Sequence, residues 1–312
     1  MNEPIVYVNG SFVPASQASI SVFDRGFRLG DAVFDTARTF RHRPYKLREH
    51  LERLQRSLHY IRLDPGMSLE QMEAVTLQVV EQNRPLWAEN DDVWVTQVVS
   101  RGALRTPGSP TVVILTEPLP FASFARFHKF GLSMITPGIR HTPPQCVEPR
   151  VKTVSRLNLV LAEQEAQQAD PDAWALLLDP EGNITEYTSG NFFIVRQGNL
   201  ITPFERSSLG GISREIVLEF AEELGIPARE ANITPYDACN ADEAFITSTS
   251  KCILPVGRLN GIRIGTRIPG PVTKRLLDTW SARVEVDIVE QALSHLDAAE
   301  RQELEMVVSQ NV

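Results

Sequence analysis

The stretch Glu117-Pro118-Leu119-Pro120-Phe121-Ala122-Ser123-Phe124-Ala125-Arg126-Phe127-His128-Lys129 is where the chain changes character. Prolines at 118 and 120 interrupt any ladder or helix, and the Phe and Ala residues after them follow neither a period of 2 nor one of 3.6. The segment reads as a linker. It divides the 312 residues into an N-terminal small α/β domain over 1–117, a linker over 118–130 and a larger C-terminal domain over 131–312.

Upstream of the linker, Ile5-Val6-Tyr7-Val8, the turn Asn9-Gly10 and Phe12-Val13 before Pro14 read as a hairpin. Ala32 to Phe40 reads as a further strand. Leu47, Leu51, Leu54, Leu58 and Ile61 recur at steps of four and three, one face of a helix that Asp64-Pro65-Gly66 stops. A second helix is expected over Leu69 to Asn83, with Ser68 and Gln71 as a capping box. Strands follow at Asp92 to Ser100 and Thr111 to Thr116.

Downstream, Gly131 to Ile139 reads as a strand and Leu157 to Ala169 as a helix. Trp174 to Leu178, Ile184 to Thr188 and Asn191 to Arg196 read as strands joined by turns at Pro180-Glu181-Gly182-Asn183 and Gln197-Gly198-Asn199. A helix from Ile212 to Leu224, a strand from Asp242 to Thr247 and helices from Pro271 and over Gln291 to Val308 complete the chain. Strands and helices mix without regular βαβ alternation. That pattern is α+β, or a mixed-sheet α/β fold, rather than a Rossmann fold or a TIM barrel.

Composition narrows the function classes. With 42% hydrophobic and 22% charged residues the chain is globular in balance. It has no run of about 18 apolar residues to span a membrane and no basic-then-apolar leader at its N-terminus. The three scattered cysteines, Cys146, Cys239 and Cys252, make neither a disulfide framework nor a zinc pattern, which suits a reducing, cytoplasmic location. The net charge of −8 argues against phosphate-rich partners. Arg38 to Arg62 runs against that balance, with eight Lys or Arg against two acids. One reading is a nucleic-acid face. The apolar stripe on the same helix favours a solvated basic helix with one or two anion-binding arginines.

Lysine occurs five times, at 46, 129, 152, 251 and 274, and arginine outnumbers it about five to one. Only lysine can lose its proton to serve as nucleophile or base. Lys152 stands out, because flanking Arg150 and Arg156 together with partial burial would depress its ammonium pKa. A surface lysine at a strand end has the same local sequence. Ser208-Leu209-Gly210-Gly211-Ile212-Ser213-Arg214-Glu215 places a glycine pair before a helix, where free N–H groups and the helix dipole suit a phosphate. Thr247-Ser248-Thr249-Ser250 offers hydroxyls at a strand end. A tight turn and a polar loop are the plain readings of these two segments. Glu186 is read either as a carboxylate facing a protonated heterocycle or as a solvated hairpin residue.

Seven blocks fall in one order along the chain: DRGFRLGDAVFDTARTF (24–40), REHLERLQRSL (48–58), VKTVSRLNLVLAEQEA (151–166), DPEGNITEYTSGNFFIV (179–195), LGGISRE (209–215), AFITSTSKCILPV (244–256) and GPVTKRL (270–276). This order resembles the class IV aminotransferases, the fold-type IV pyridoxal-phosphate enzymes. That family includes branched-chain and D-amino-acid aminotransferases, (R)-selective amine transaminases and aminodeoxychorismate lyases. The resemblance implies a two-domain fold-type IV architecture and pyridoxal 5′-phosphate as cofactor. It also implies a homodimer, with no nucleic-acid or membrane partner. Carried over residue by residue, Lys152 resembles the lysine that joins the cofactor through a Schiff base. Arg53 is similar to the arginine on the cofactor phosphate, and Glu186 to the carboxylate on the pyridine nitrogen. Ile212, Ser213, Ser248 and Thr249 are similar to the phosphate-binding N–H and hydroxyl groups.

The implied reaction is ping-pong transfer of an amino group from an amino acid or small chiral primary amine to pyruvate or 2-oxoglutarate. Branched-chain-like or (R)-amine-selective activity leads; D-amino-acid transfer and pyruvate elimination are the alternatives. By resemblance, Phe34, Asp35, Thr36 and Arg38 lie in the strand that lines the substrate pocket, and Trp94 and Thr96 add a second wall. Thr36 stands where branched-chain enzymes typically carry glycine. Arg38 and Arg126 are candidate carboxylate receptors, and Arg101 is the basic residue ending the second strand. The segment Val284 to Val312 extends beyond the matched blocks.

Overall fold

The computed structural model describes residues 3–103 and 109–310, without the side chains of 303, 305 and 307–310. The described residues fall into two compact units. One holds those up to Leu119 together with Val151–Arg156; the other holds Pro120–Arg150 and the chain from Leu157 onward.

In the first unit the strands are β1 (Ile5–Val8), β2 (Ser11–Pro14), β3 (Ala32–Phe40), β4 (Arg43–Pro44), β5 (Val93–Ser100) and β6 (Thr111–Pro118). They form one antiparallel sheet in the order β2-β1-β6-β5-β3-β4. The helices are α1 (Arg25–Leu29), α2 (Leu47–Tyr60) and α3 (Leu69–Asn83). The Ser68–Gln71 capping box opens α3 as expected. The one-turn α1 lies in a stretch read without an element. Asp24 caps it by accepting from the Gly26 N–H at 2.7 Å, and Gly30 ends it at φ +68°, a conformation costly for any residue with a Cβ.

Helix α2 positions the chemistry of this unit. Leu47, Leu51, Leu54 and Leu58 enter the core with Val33 and Ala37 of β3. Fully burying one such leucine stabilises the fold by about 1.5–3 kcal/mol. Beside this stripe runs a second one that is buried but polar: His50, Arg53 and Ser57. Their spacing of three and four puts them on one side of the helix.

The second unit begins inside the stretch read as a linker. Its aromatic residues are not solvent-exposed spacers: Phe121, Phe124 and Phe127 are buried, and two one-turn helices form, α4 (Ala122–Ala125) and α5 (Phe127–Phe130). Turns this short leave no helical period to detect. Further along come β7 (Leu132–Ile135), α6 (Leu157–Ala169), β8 (Trp174–Leu178), β9 (Ile184–Tyr187), β10 (Gly190–Arg196), β11 (Asn199–Thr202), α7 (Ile212–Glu223), β12 (Ala228–Glu230), α8 (Pro235–Cys239), β13 (Glu243–Ser248), β14 (Cys252–Leu259) and β15 (Ile262–Arg263). The strand order is β12-β11-β10-β13-β14-β7-β8-β9, and β9 pairs back onto β10. Six strands thus close a ring, which removes the exposed edge that β9 would otherwise present. β7 and β8 are parallel, with α6 between them in the chain, one crossover in an otherwise mainly antiparallel sheet. Helices α9 (Pro271–Val284), α10 (Ile288–Ser294) and α11 (Ala298–Gln310) follow. The single helix expected over Gln291 to Val308 is therefore two, divided where Asp297 accepts the Glu300 N–H and starts α11.

Val151–Arg156, within the residues assigned above to the C-terminal domain, packs in the first unit. Thr153 bridges Val33, and the Val154 N–H donates to Ala32. Among the described residues no helix is long and apolar enough to cross a membrane.

Candidate active site

The antiparallel register of β3 and β5 sorts the candidate residues of the first unit. Thr36 faces Thr96, Phe34 faces Val98 and Arg38 faces Trp94. Side chains alternate along a strand, so Phe34 and Thr36 share one face of the sheet with Thr96 and Val98, all half-buried. The Thr36 and Thr96 hydroxyls are 3.1 Å apart and hydrogen-bonded. Lys152 is also half-buried, with its Nζ 4.6 Å from the centre of the Phe34 ring. Its backbone is pinned at both ends, since its N–H donates to Ser57 Oγ at 3.3 Å and its C=O accepts from Phe34 at 3.0 Å.

Asp35 turns to the opposite, core-facing side and meets the polar stripe of α2. Its carboxylate accepts from Arg53 Nε and Nη2, each at 2.8 Å, from His50 Nδ1 at 2.7 Å and from the Thr36 N–H at 2.8 Å. Burial alone would raise the Asp35 pKa. The Arg53 charge and the hydrogen bonds of His50 and Arg53 outweigh it and hold the carboxyl far below the usual range. His50 is pushed down by burial, reinforced by the charges of Arg53 and Lys152 against the pull of Asp35.

Arg38 does not join this site. It is 3% exposed, lies 3.7 Å from Asp92, donates to the Thr39 carbonyl and stacks on Phe40. Its pairing with Asp92 brings it into a buried structural cluster rather than a substrate-facing one. Arg101 is held by Asp31 at 2.9 Å and by the Ile61 and Arg62 carbonyls. Arg126 pairs with Asp172 at 2.6 Å. The basic run on α2 is likewise engaged: Arg48 bridges Glu70 and Glu73.

In the second unit, Glu186 on β9 is buried beside β10. Its Oε1 lies 3.1 Å from His141 Nε2, and its Oε2 accepts the Leu209 N–H at 3.1 Å. Asn191, opposite Glu186 in the register, donates to the Leu209 carbonyl at 2.9 Å. The segment entering α7 is thus gripped on both sides of one residue. Gly211 is required for space: a Cβ there would sit 2.1 Å from Asn191 Oδ1. Helix α7 then starts with no side-chain cap, with Ile212 and Ser213 buried in its first turn. The Thr247 hydroxyl, near the end of β13, lies within 3.4 Å of the Ser213 carbonyl, so the Ser248-Thr249 turn adjoins that helix start. Ser248 Oγ is buried and has no hydrogen-bond partner among the described residues. Thr249 is half-buried.

The family model for class IV amino-transferases matches residues 32–259. The chain belongs to the class IV aminotransferases. A putative branched-chain-amino-acid aminotransferase of Methanocaldococcus jannaschii is 36% identical over 88% of this chain and 94% of its own length. A D-alanine aminotransferase of Bacillus licheniformis is 30% identical over 87% of this chain and 94% of its own. The crystal structure of the branched-chain aminotransferase of Thermobaculum terrenum in its PLP form superposes with a TM-score of 0.80. It is 26% identical and covers 91% of this chain and 95% of that one. The chain is a pyridoxal-phosphate-dependent transaminase.

The residues present fit that cofactor. An uncapped helix start beside an unpartnered buried hydroxyl is a natural seat for a phosphate. Glu186 is a buried carboxylate, the type of group that a cationic ring nitrogen would pair with.

Sequence reasoning missed His50, Ser57, His141 and Asn191, and took Asp35 only as part of the pocket strand. The pattern His50-x-x-Arg53-x-x-x-Ser57 beside a leucine stripe was a legible signal, since polar residues at helical spacing next to a core face are buried with partners. His141 and Asn191 gave none, because their partners lie 45 and 18 residues away.

Proposed function

We propose that this transaminase moves an amino group from an aliphatic amino acid to a 2-oxo acid, with branched-chain L-amino acids as first donor class. The observation that carries the reading is the face of the first sheet beside Lys152. Phe34, Val98 and, on β6, Val113 and Leu115 make it apolar, and the Thr36–Thr96 pair adds two hydroxyls. Arg38, the cation nearest this face in the strand, is committed to Asp92. Such a surface suits a branched aliphatic side chain better than a second carboxylate.

In this reading Lys152 joins the cofactor and its Nζ later carries the proton at the donor Cα as general acid and base. Asp35 fixes the plane of Arg53, which faces the cofactor phosphate. Ile212, Ser213, Ser248 and Thr249 supply the other phosphate donors, and Glu186 holds the ring nitrogen. When bound, the cofactor supplies the electron sink that makes Cα–H acidic.

The reading also gives a homodimer in the cytoplasm. Ile20, Val22, Phe23, Phe27 and Leu29 are 43–71% exposed within ten residues of chain, an apolar surface that a second copy would cover.

A donor panel tests the substrate. L-leucine, D-alanine and both enantiomers of 1-phenylethylamine are each mixed with the yellow protein, and the loss of cofactor absorbance is followed. L-leucine is expected to react fastest. Preference for D-alanine or (R)-1-phenylethylamine, or release of pyruvate without amino exchange, overturns the assignment. Sedimentation as a monomer overturns the dimer.

A further inference from the structure

The Glu186 carboxylate is not oriented by its own conformation alone. Its β9 position sets the Cα, but a glutamate side chain has three free torsions and both oxygens need to be aimed. Two donors aim them. The Leu209 N–H, fixed because Asn191 holds the same residue's carbonyl, takes Oε2. Nε2 of His141 takes Oε1 at 3.1 Å.

His141 is itself fixed. Its N–H donates to the Leu178 carbonyl at 2.9 Å, which ties it to the end of β8, the strand antiparallel to β9. The residue is 8% exposed. We infer that His141 is a positioning residue: its Nε2–H holds the Glu186 carboxylate in the rotamer that faces the heterocyclic nitrogen. This rests on the assignment of Glu186 made above.

The charge pattern around the ring agrees. Burial disfavours a charged imidazole here, yet the Glu186 hydrogen bond and charge, a backbone hydrogen bond at Thr142 and the more distant Asp179 together push its pKa up. A proton on Nε2 makes the ring the donor to Glu186 Oε1. The Glu186 carboxylate is then held oriented without reorganising as the reaction runs.

The test uses His141→Phe, which keeps an aromatic ring but no donor, and His141→Gln, whose Nε2 amide can occupy the place of the imidazole Nε2. Glu186→Gln is the control. Three quantities are read: the affinity of the apoprotein for pyridoxal 5′-phosphate by fluorescence titration, the absorbance maximum of the bound cofactor, and the single-turnover rate with the best donor. His141→Phe is expected to weaken affinity and slow the half-reaction by about tenfold each, the scale of one charge-assisted hydrogen bond. His141→Gln restores most of both. In the Glu186→Gln background His141→Phe has little further effect.

Wild-type affinity and rate in His141→Phe overturn the inference, and so does a loss that His141→Gln fails to rescue, which marks a packing role. If Glu186→Gln itself changes neither spectrum nor rate, the assignment of Glu186 falls and the inference falls with it; the control separates the two failures. Should His141→Phe not fold, the imidazole 15N spectrum of the wild-type apoprotein decides. A protonated Nε2 is required, and an unprotonated Nε2 sinks the inference.

Discussion

Among the described residues a buried histidine–carboxylate pair forms twice, and the two pairs behave in opposite ways. In the first unit His50 meets Asp35 at 2.7 Å; in the second His141 meets Glu186 at 3.1 Å. Both rings are buried and both face a carboxylate, yet His50 is held below the ordinary imidazole range and His141 above it. The difference is in the neighbours. Asp35 is already neutralised by Arg53, and the charges of Arg53 and Lys152 repel a proton on His50. The largest effects on His141 besides burial come from Glu186, a backbone hydrogen bond at Thr142 and Asp179, and together they win over burial. A pair is therefore not a unit with a fixed character; the third charge decides it.

The comparison assigns different work to the two carboxylates. Asp35 is saturated, with four donors, and is read as a structural hub that orients Arg53. Glu186 has two and is read as facing the cofactor. The largest expected effect lies with the lysine that influences the first pair. Lys152→Ala is expected to lower the transamination rate by about a thousandfold or more, the scale of a lost acid–base group, and to abolish trapping of the cofactor by borohydride at this position. Label retained on another lysine would break the assignment. Next comes the hub itself. Asp35→Asn leaves Arg53 buried without its counter-charge and is expected to cost about 3–5 kcal/mol of stability, measured by urea unfolding. A loss below about 1 kcal/mol would show that the hub is not structural.

How much of this was legible depended on the distance between partners. The leucine stripe of α2 and the Ser68–Gln71 box were read correctly because their signals repeat within a few residues. The strands that carry Phe34, Thr36, Trp94 and Thr96 were legible as runs of apolar and β-forming residues. For Arg38 a strand pattern gives only the face on which the side chain starts. Its pairing with Asp92, 54 residues further on, decides where the guanidinium ends. The aromatic linker stretch looked irregular because each of its helices is one turn long. Val151–Arg156 looked like part of its neighbours because bridging to β3 is a tertiary event with no local sequence mark.

The pH dependence sharpens the contrast between the two histidines. The folded-state pKa of His50 is lowered, so the unfolded chain takes up its proton first as pH falls. Its contribution to stability is present above the ordinary value near 6.5 and is lost below it. The folded-state pKa of His141 is raised, so its contribution is complete below about 6.5 and is lost as pH rises through the folded value. Asp35, lowered, adds stability that disappears only as pH falls below about 4. Histidine NMR titration of the apoprotein at pH 6.5 is expected to find the His50 ring mostly neutral and the His141 ring mostly charged. Identical titration of the two rings would remove the basis of the comparison.

The smallest expected effect concerns Ser57, one turn beyond Arg53 on the polar stripe of α2. Its hydroxyl accepts the Lys152 N–H at 3.3 Å, a long hydrogen bond between neutral groups. Ser57→Ala removes that acceptor. The stability cost is expected at about 1 kcal/mol. The kinetic consequence separates this residue from Asp35. Because Ser57 touches the lysine's backbone and not the Arg53 hub, Ser57→Ala is expected to lower kcat a few-fold while leaving cofactor affinity unchanged, whereas Asp35→Asn weakens cofactor affinity as well. If Ser57→Ala weakened cofactor binding as much as Asp35→Asn, the stripe would be acting as a single block and the separate roles of its hydroxyl and its guanidinium would dissolve.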